Sequence, residues 1–117
     1  MDEHRAVLAL GALAQETRLA LYRLLVALGP QGLPAGAIAE SLGVAPSSLS
    51  FHLQQLLHAG LLTQRRAGRQ LIYAAEYEAM NALLAYLTEN CCGRGESCAP
   101  FCTPAETAVT ETQNGRC

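Results

Sequence analysis

The sequence is poor in charged residues. Only 15% of its 117 residues are charged, and the formal net charge is −2. Proteins that bind duplex DNA are usually basic, so the overall charge alone does not favour a nucleic-acid partner. The distribution of charge changes this view, because residues 41–75 contain no acidic residue and three arginines, Arg65, Arg66 and Arg69. These three side chains give the segment a local charge of +3 inside an acidic protein.

The sequence also lacks the features of an exported or membrane protein. It has no apolar run long enough to span a bilayer. Residues 6–14, AVLALGALA, end in small residues as a secretion signal does, but Asp2 and Glu3 precede them in place of a basic region. We interpret this stretch as part of a folded helix. The five cysteines are odd in number and mostly clustered, unlike a secreted disulfide framework, so we expect a cytoplasmic protein.

Apolar periodicity and turn residues predict a single domain of five helices and one hairpin. The predicted helices cover about residues 3–14, 16–28, 33–43, 46–59 and 76–90, and the hairpin covers residues 61–75 around the turn RAGR. The side chains expected on the apolar stripes are Leu19, Tyr22, Leu25, Val26 and Leu28 in the second helix, Leu33, Ile38 and Leu42 in the third, Leu49, Leu53, Leu56 and Leu57 in the fourth, and Met80, Leu83, Leu84 and Leu87 in the last.

Two helices joined by the tight turn LGVAPSS and followed by a hairpin predict a winged helix-turn-helix, a mainly α fold with a β-hairpin wing. This motif places its second helix in the major groove of DNA. Its predicted exposed side chains are polar and can donate to phosphates or base edges. They are Ser47, Ser48, Ser50, His52, Gln54 and Gln55, with Arg65, Arg66 and Arg69 on the wing against the DNA backbone. Each is an ordinary surface residue by itself, but together with the acid-free segment they favour DNA binding.

The segments LAQETRLALYRLL and AIAESLGVAPSSLSFHLQQLLHAGLLTQRRAGRQLIY resemble the ArsR/SmtB family of metal-responsive repressors. The similarity covers about residues 8–75. It is most specific in the run S-x-S-F-H-L-x-x-L-x-x-A-G-L-L and in the G-R turn after it. The resemblance implies a homodimer that pairs through its first and last helices and binds a palindromic operator. It also implies that a metal or metalloid ion releases the DNA.

Two inducer sites known in this family are missing from the sequence. Pro34 and Gly36 stand where one site has a Cys-x-Cys pair, and residues 77–90 contain neither the His nor the Asp of a zinc site on the last helix. The cysteine segment, residues 91–102 with the sequence CCGRGESCAPFC, remains as the predicted inducer site.

Thiolates are soft ligands that select thiophilic ions. Trivalent arsenic takes three sulfurs, and Cys91, Cys92 and Cys98 can form a three-sulfur cup because Gly93 and Gly95 allow the chain to turn back. Cys102 is an additional or substitute ligand. The sequence therefore predicts arsenite as the inducer, with antimonite as a second candidate, and no organic cofactor.

Other interpretations of the cysteines stay open. A Cd, Pb or Zn sensor could use four cysteines, although the spacing is not that of a zinc knuckle. A thiol-based redox or persulfide sensor is a second alternative, because exposed clustered thiols oxidise readily. An enzyme is not expected, since no C-x-x-C pair is present. The predicted organisation is a dimerisation and DNA-binding domain at 1–92, the inducer-binding segment at 91–102 and a flexible tail at 103–117.

Overall fold

The computed structural model describes residues 1–90 of the chain. In this part the protein forms five helices and three strands, in an order that confirms the predicted winged helix-turn-helix. The elements are α1 Glu3–Leu13, α2 Glu16–Leu28, β1 Leu33–Pro34, α3 Ala35–Leu42, α4 Pro46–His58, β2 Leu62–Ala67, β3 Gln70–Ala75 and α5 Tyr77–Leu87. The predicted inducer-binding segment and tail lie outside the described residues.

The helices begin and end at residues that satisfy free backbone groups. The side chain of Asp2 accepts a hydrogen bond from the backbone N–H of Arg5 at 2.8 Å and caps α1, and Gln15 caps α2 in the same way through the N–H of Arg18 at 2.9 Å. Gly43, in the left-handed region at φ 68°, ends α3. Such local signals explain why the predicted helix boundaries agree closely with the observed ones.

The core lies where α1 to α4 and the sheet meet. Its largest fully buried side chains are Leu21, Leu25, Ile38, Leu49, Leu53, Leu56 and Leu61. Three of the four leucines predicted to face the core from the fourth helix are therefore buried, and Leu57 is half-buried. The regular spacing of these leucines fixes which face of α4 packs inward and which face remains available.

Two of the predicted apolar stripes are wrong in detail. In α2, Leu21 is fully buried whereas Leu19 is 45% exposed, because an Ala/Leu-rich helix offers apolar residues on several faces and its contacts decide among them. In α5, Leu83 is buried but Leu87 is 53% exposed. The single chain thus leaves apolar side chains of these helices in contact with solvent.

The sheet is antiparallel in the order β1-β3-β2. The predicted hairpin is confirmed as β2 and β3, which turn at Gly68 with φ 66°. The short strand β1 was not predicted, since its residues were assigned to the third helix; Leu33 and Pro34 instead pair with Tyr73 and Ile72. Two residues are too few to show a strand periodicity. Their pairing fixes the base of the wing against the helix-turn-helix.

Candidate nucleic-acid interface

The turn between α3 and α4 is short and closed by backbone hydrogen bonds. The N–H groups of Gly43 and Val44 both donate to the carbonyl oxygen of Ala39, at 2.9 and 3.1 Å. Pro46 then begins α4, where a missing N–H costs nothing. These hydrogen bonds close the turn between α3 and α4, and the non-core face of α4 is exposed.

The outward face of α4 carries most of the polar side chains expected there. Ser47, Ser48, Ser50, Gln54 and Gln55 are all exposed. Serine hydroxyls and glutamine amides both donate and accept hydrogen bonds. No acidic residue occurs between residues 41 and 75, so this segment adds no carboxylate that would repel phosphate.

His52 is not an exposed residue of this face, so that expectation is wrong. Its side chain is half-buried, and its Nδ1 lies 3.2 Å from Nη1 of Arg18. A guanidinium only donates, so Nδ1 is the acceptor and the neutral ring carries its proton on Nε2. Burial, and then the positive charge of Arg18, lower the pKa of His52 below 6.5. His52 is therefore held neutral and bonded to α2.

Arg18 connects three helices. Its Nε donates to the carbonyl oxygen of Ala12 at the end of α1 at 2.6 Å, while Nη1 donates to His52 on α4. Arg18 could not be predicted from the sequence, because its partner on α4 lies 34 positions away and no local pattern indicates the pairing. Through this side chain the position of α1 is linked to that of α4.

Phe51 is the second residue that sequence analysis missed. Its side chain is 58% exposed in the middle of the polar face of α4. The Arg18 guanidinium carbon lies 6.0 Å from its ring centroid, and the His52 ring meets it edge-on at 5.7 Å and 62°. In the sequence, the signal available was that Phe51, in the motif SFHL, falls outside the leucine stripe of α4.

The three arginines of the wing are exposed but have different surroundings. Arg65 Nη2 donates to the carbonyl oxygen of Gln31 at 3.1 Å, which ties β2 to the loop before β1. Arg65 pairs with Ile72 in the ladder and Arg66 with Leu71. Successive residues of a strand point to opposite faces, so Arg65 and Arg66 do not share one side of the hairpin. Arg69 follows the turn glycine at the tip of the wing.

Helix α5 ends just before the cysteine segment. Its last helical residue is Leu87, and the hydroxyl of Thr88 donates to the carbonyl oxygen of Leu84 at 2.8 Å. Asn90 then takes the left-handed conformation at φ 59°. The predicted ligands Cys91, Cys92, Cys98 and Cys102 lie outside the described residues. Within residues 1–90 no group of three or more His, Cys, Asp or Glu side chains is arranged to hold a metal ion.

A family model described as a helix-turn-helix domain matches residues 13–65. The HTH-type transcriptional regulator YgaV of Escherichia coli (strain K12) is 30% identical over 88 residues, which are 75% of this chain and 87% of that protein. Solved structures of an ArsR-like transcriptional regulator and of an ArsR family transcriptional regulator share the fold at 26% and 27% identity, each with a TM-score of 0.65. The chain belongs to the ArsR family of transcriptional regulators.

Three solved structures illustrate the relationship of this ArsR-family protein to others. An ArsR-like transcriptional regulator from Rhodococcus sp. RHA1 is 26% identical with a TM-score of 0.65, covering 72% of this chain and 76% of that chain. The homodimeric winged helix-turn-helix DNA-binding domain of Mb0332 from Mycobacterium bovis is 27% identical with a TM-score of 0.61, covering 73% and 77%. A possible transcriptional regulator for arsenical resistance is 29% identical with a TM-score of 0.59, covering 68% and 79%.

The residues that match the helix-turn-helix family model include the elements that form the polar face. Residues 13–65 include α2, α3, α4 and most of β2, and therefore Arg18, Phe51 and Arg65. Among the proteins that this ArsR-family chain matches, YgaV is named a transcriptional regulator and the Mb0332 fragment a DNA-binding domain. None of the helices within residues 1–90 is long and apolar enough to cross a membrane.

Proposed function

We propose that this ArsR-family regulator is a repressor that binds operator DNA as a homodimer and dissociates when trivalent arsenic binds its cysteine segment. The ligands are the thiolates of Cys91, Cys92 and Cys98, with Cys102 as an additional or substitute ligand. Arsenite is the first candidate inducer and antimonite the second.

The proposed DNA surface consists of the polar face of α4 and the wing. Its serines and glutamines suit phosphate and base-edge contacts, while the wing arginines suit the DNA backbone. Arg69, at the exposed tip, and Arg66, exposed on β2, are the proposed phosphate contacts, and Arg65 holds the wing through Gln31 while adding its charge. His52 contributes through Arg18 rather than as an exposed contact.

The proposed dimer uses α1 and α5. Val7 is 61% exposed and Leu10 is 42% exposed on α1, and Leu87 is 53% exposed on α5. A groove of about 460 Å³ between α2 and α5, with Leu19 and Met80 among its lining residues, adds to this apolar surface. Apolar area of this kind on a small domain gains free energy when a second copy covers it. The M. bovis relative is homodimeric, which supports the same arrangement here.

The position of the thiols is the observation that supports the proposed inducer site. Four of the five cysteines occur between Cys91 and Cys102, directly after the capped end of α5. Soft thiolates select thiophilic ions, and metal binding displaces their protons. One structural relative is described as a possible regulator for arsenical resistance. An ion bound here would act at the end of a proposed dimer helix.

Release of DNA requires differential binding. Arsenic must bind the DNA-incompetent state more tightly than the DNA-bound state, because a ligand with equal affinity for both shifts nothing. A shift of α5 in the dimer would change the separation of the two copies of α4, which must fit half-sites roughly 34–36 Å apart.

The test is release of DNA by arsenite from serine variants. Cys91→Ser, Cys92→Ser and Cys98→Ser should bind an operator duplex as the wild type does and fail to release it, as measured by fluorescence anisotropy. Cys117→Ser is the matched control and should release DNA normally. The buffer contains a phosphine reductant, because a dithiol would itself bind arsenite. Full release in one of the three variants would remove that cysteine from the site.

The same assay separates the alternatives. For the redox arm the phosphine is first removed, because it would consume the reagent; oxidant or polysulfide, with arsenite absent, should then leave the complex intact. With the phosphine present, Cd, Pb or Zn should release the DNA less effectively than arsenite. Release by oxidant but not by arsenite would replace the arsenic site with a thiol switch.

A further inference from the structure

Phe51 lies at the centre of the proposed DNA surface although it is apolar. It is 58% exposed on α4, whereas the leucines of the opposite face are buried. Residues three and four positions apart are neighbours on a helix. The polar side chains at those distances from Phe51 are Ser47, Ser48, Gln54 and Gln55, all exposed.

The ring of Phe51 is held in place from one side. The Arg18 guanidinium carbon lies 6.0 Å from the ring centroid, and His52 contacts the ring edge-on. Arg18 is itself fixed by its hydrogen bonds to Ala12 and His52. These contacts restrict the ring while leaving more than half of its surface in water, so the ring is oriented in advance for an apolar partner.

We propose that Phe51 recognises thymine by packing against its C5-methyl group in each operator half-site. The proposal rests on the proposed function, in which α4 enters the major groove. There thymine presents an apolar methyl group, and phenylalanine is one of the side chains that contacts it. Cytosine carries only a hydrogen at its C5 position. Phe51 therefore determines specificity, while Arg18 and His52 are positioning residues.

A base in DNA fits this surface better than a protein does. The surface has polar neighbours on every side of Phe51 and lies in a segment of 35 residues, 41–75, with three arginines and no acid. Such a basic surface is complementary to phosphate. A single isolated apolar side chain offers too little apolar area for a protein interface, but it is large enough to contact one methyl group.

The experiment compares the full-length wild type with Phe51→Ala. Each protein first selects binding sites from a library of random duplexes. We expect the wild type to enrich a thymine at one position in each half-site and Phe51→Ala to lose that preference. Deoxyuridine then replaces this thymine, which removes only the methyl group. The wild type should bind the deoxyuridine duplex about fivefold more weakly, whereas Phe51→Ala should bind both duplexes equally.

Two further variants complete the design. Leu71→Ala removes another exposed apolar side chain, 38% exposed on the wing, and should keep the wild-type penalty for deoxyuridine. Phe51→Leu retains an apolar side chain and should keep part of the penalty for deoxyuridine. This variant tests the inference even if Phe51→Ala fails to fold.

The possible failures are distinguishable. An equal penalty for deoxyuridine in the wild type and both Phe51 variants would overturn this inference and leave DNA binding intact. An unchanged motif and affinity in Phe51→Ala would do the same. If the wild type enriched no sequence at all, the proposed function would fail, and this inference with it.

Discussion

At the scale of single residues, the guanidinium of Arg18 orients side chains on the polar face of α4, although Arg18 itself lies on α2. It donates to the carbonyl oxygen of Ala12 and to His52, and it lies over the ring of Phe51. Lysine could not replace it, because a single ammonium cannot match the planar fork of donors. The orientation of the α4 face is therefore set partly from α2.

The shifted pKa of His52 makes stability depend on pH. The unfolded chain takes up this proton below pH 6.5, whereas the folded protein does so only at lower pH, since burial and Arg18 disfavour the charged ring. The free energy of unfolding should therefore fall as the pH decreases through 6.5 and level off below the folded pKa. Urea denaturation of the protein without DNA, at several pH values, measures this.

The control for His52 is His52→Asn, whose amide oxygen can accept the hydrogen bond from Arg18 but does not titrate. Its stability should fall less than that of the wild type over the same pH range. Parallel curves for the two proteins would show that His52 contributes no pH dependence.

Tyr22 and Tyr77 form a natural comparison. The hydroxyl of Tyr22 is buried without a hydrogen-bond partner among the described residues, and burial, followed by nearby Tyr77 and Glu76, raises its pKa to about 12. The hydroxyl of Tyr77 donates to the carbonyl oxygen of Val26 at 3.1 Å. Tyr22→Phe should thus be neutral or stabilising, whereas Tyr77→Phe should lower the free energy of unfolding by about 1 kcal/mol. Equal urea midpoints for the two variants would contradict this.

At the scale of elements, features that depend on residues close together in sequence could be predicted, whereas features that depend on distant residues could not. The leucine spacing of α4 and the turn at Gly68 are local signals, and both were predicted correctly. Strand β1 was missed because its two residues are defined by pairing with β3 rather than by their own pattern. The exposure of His52 was wrong because its partner Arg18 is distant in sequence. The predicted cysteine ligands lie outside residues 1–90 and stay a prediction.

The wing gives a prediction about salt. Arg69→Ala and Arg66→Ala should each weaken binding to duplex DNA and reduce the slope of log affinity against log salt by about 1, because each neutralises one phosphate. Arg65→Ala should weaken binding mainly by loosening the wing, because it removes the hydrogen bond to Gln31, and it should reduce the slope by less than the other two variants do. Fluorescence anisotropy at several salt concentrations measures the slopes. An unchanged slope would show that the side chain does not contact phosphate.

At the scale of the whole molecule, the exposed apolar residues of α1 and α5 form the proposed dimer interface. Light scattering after size exclusion should give about twice the chain mass of 12.4 kDa. Val7→Glu should shift the protein to the monomer, because a buried unpaired carboxylate is costly. Leu71→Glu, on the wing, should remain dimeric. A dimeric Val7→Glu would exclude this face of α1 from the interface.

The closed end of α5 has a practical consequence for protein engineering. Thr88 caps the helix and Asn90 sets a new chain direction, so a segment joined after Asn90 inherits no helical register from α5. A different ligand-binding sequence fused at residue 91 would leave the described surface of α4 and the wing unchanged, and it would serve as an inducer site only if its ligand shifts α5 as proposed for arsenic.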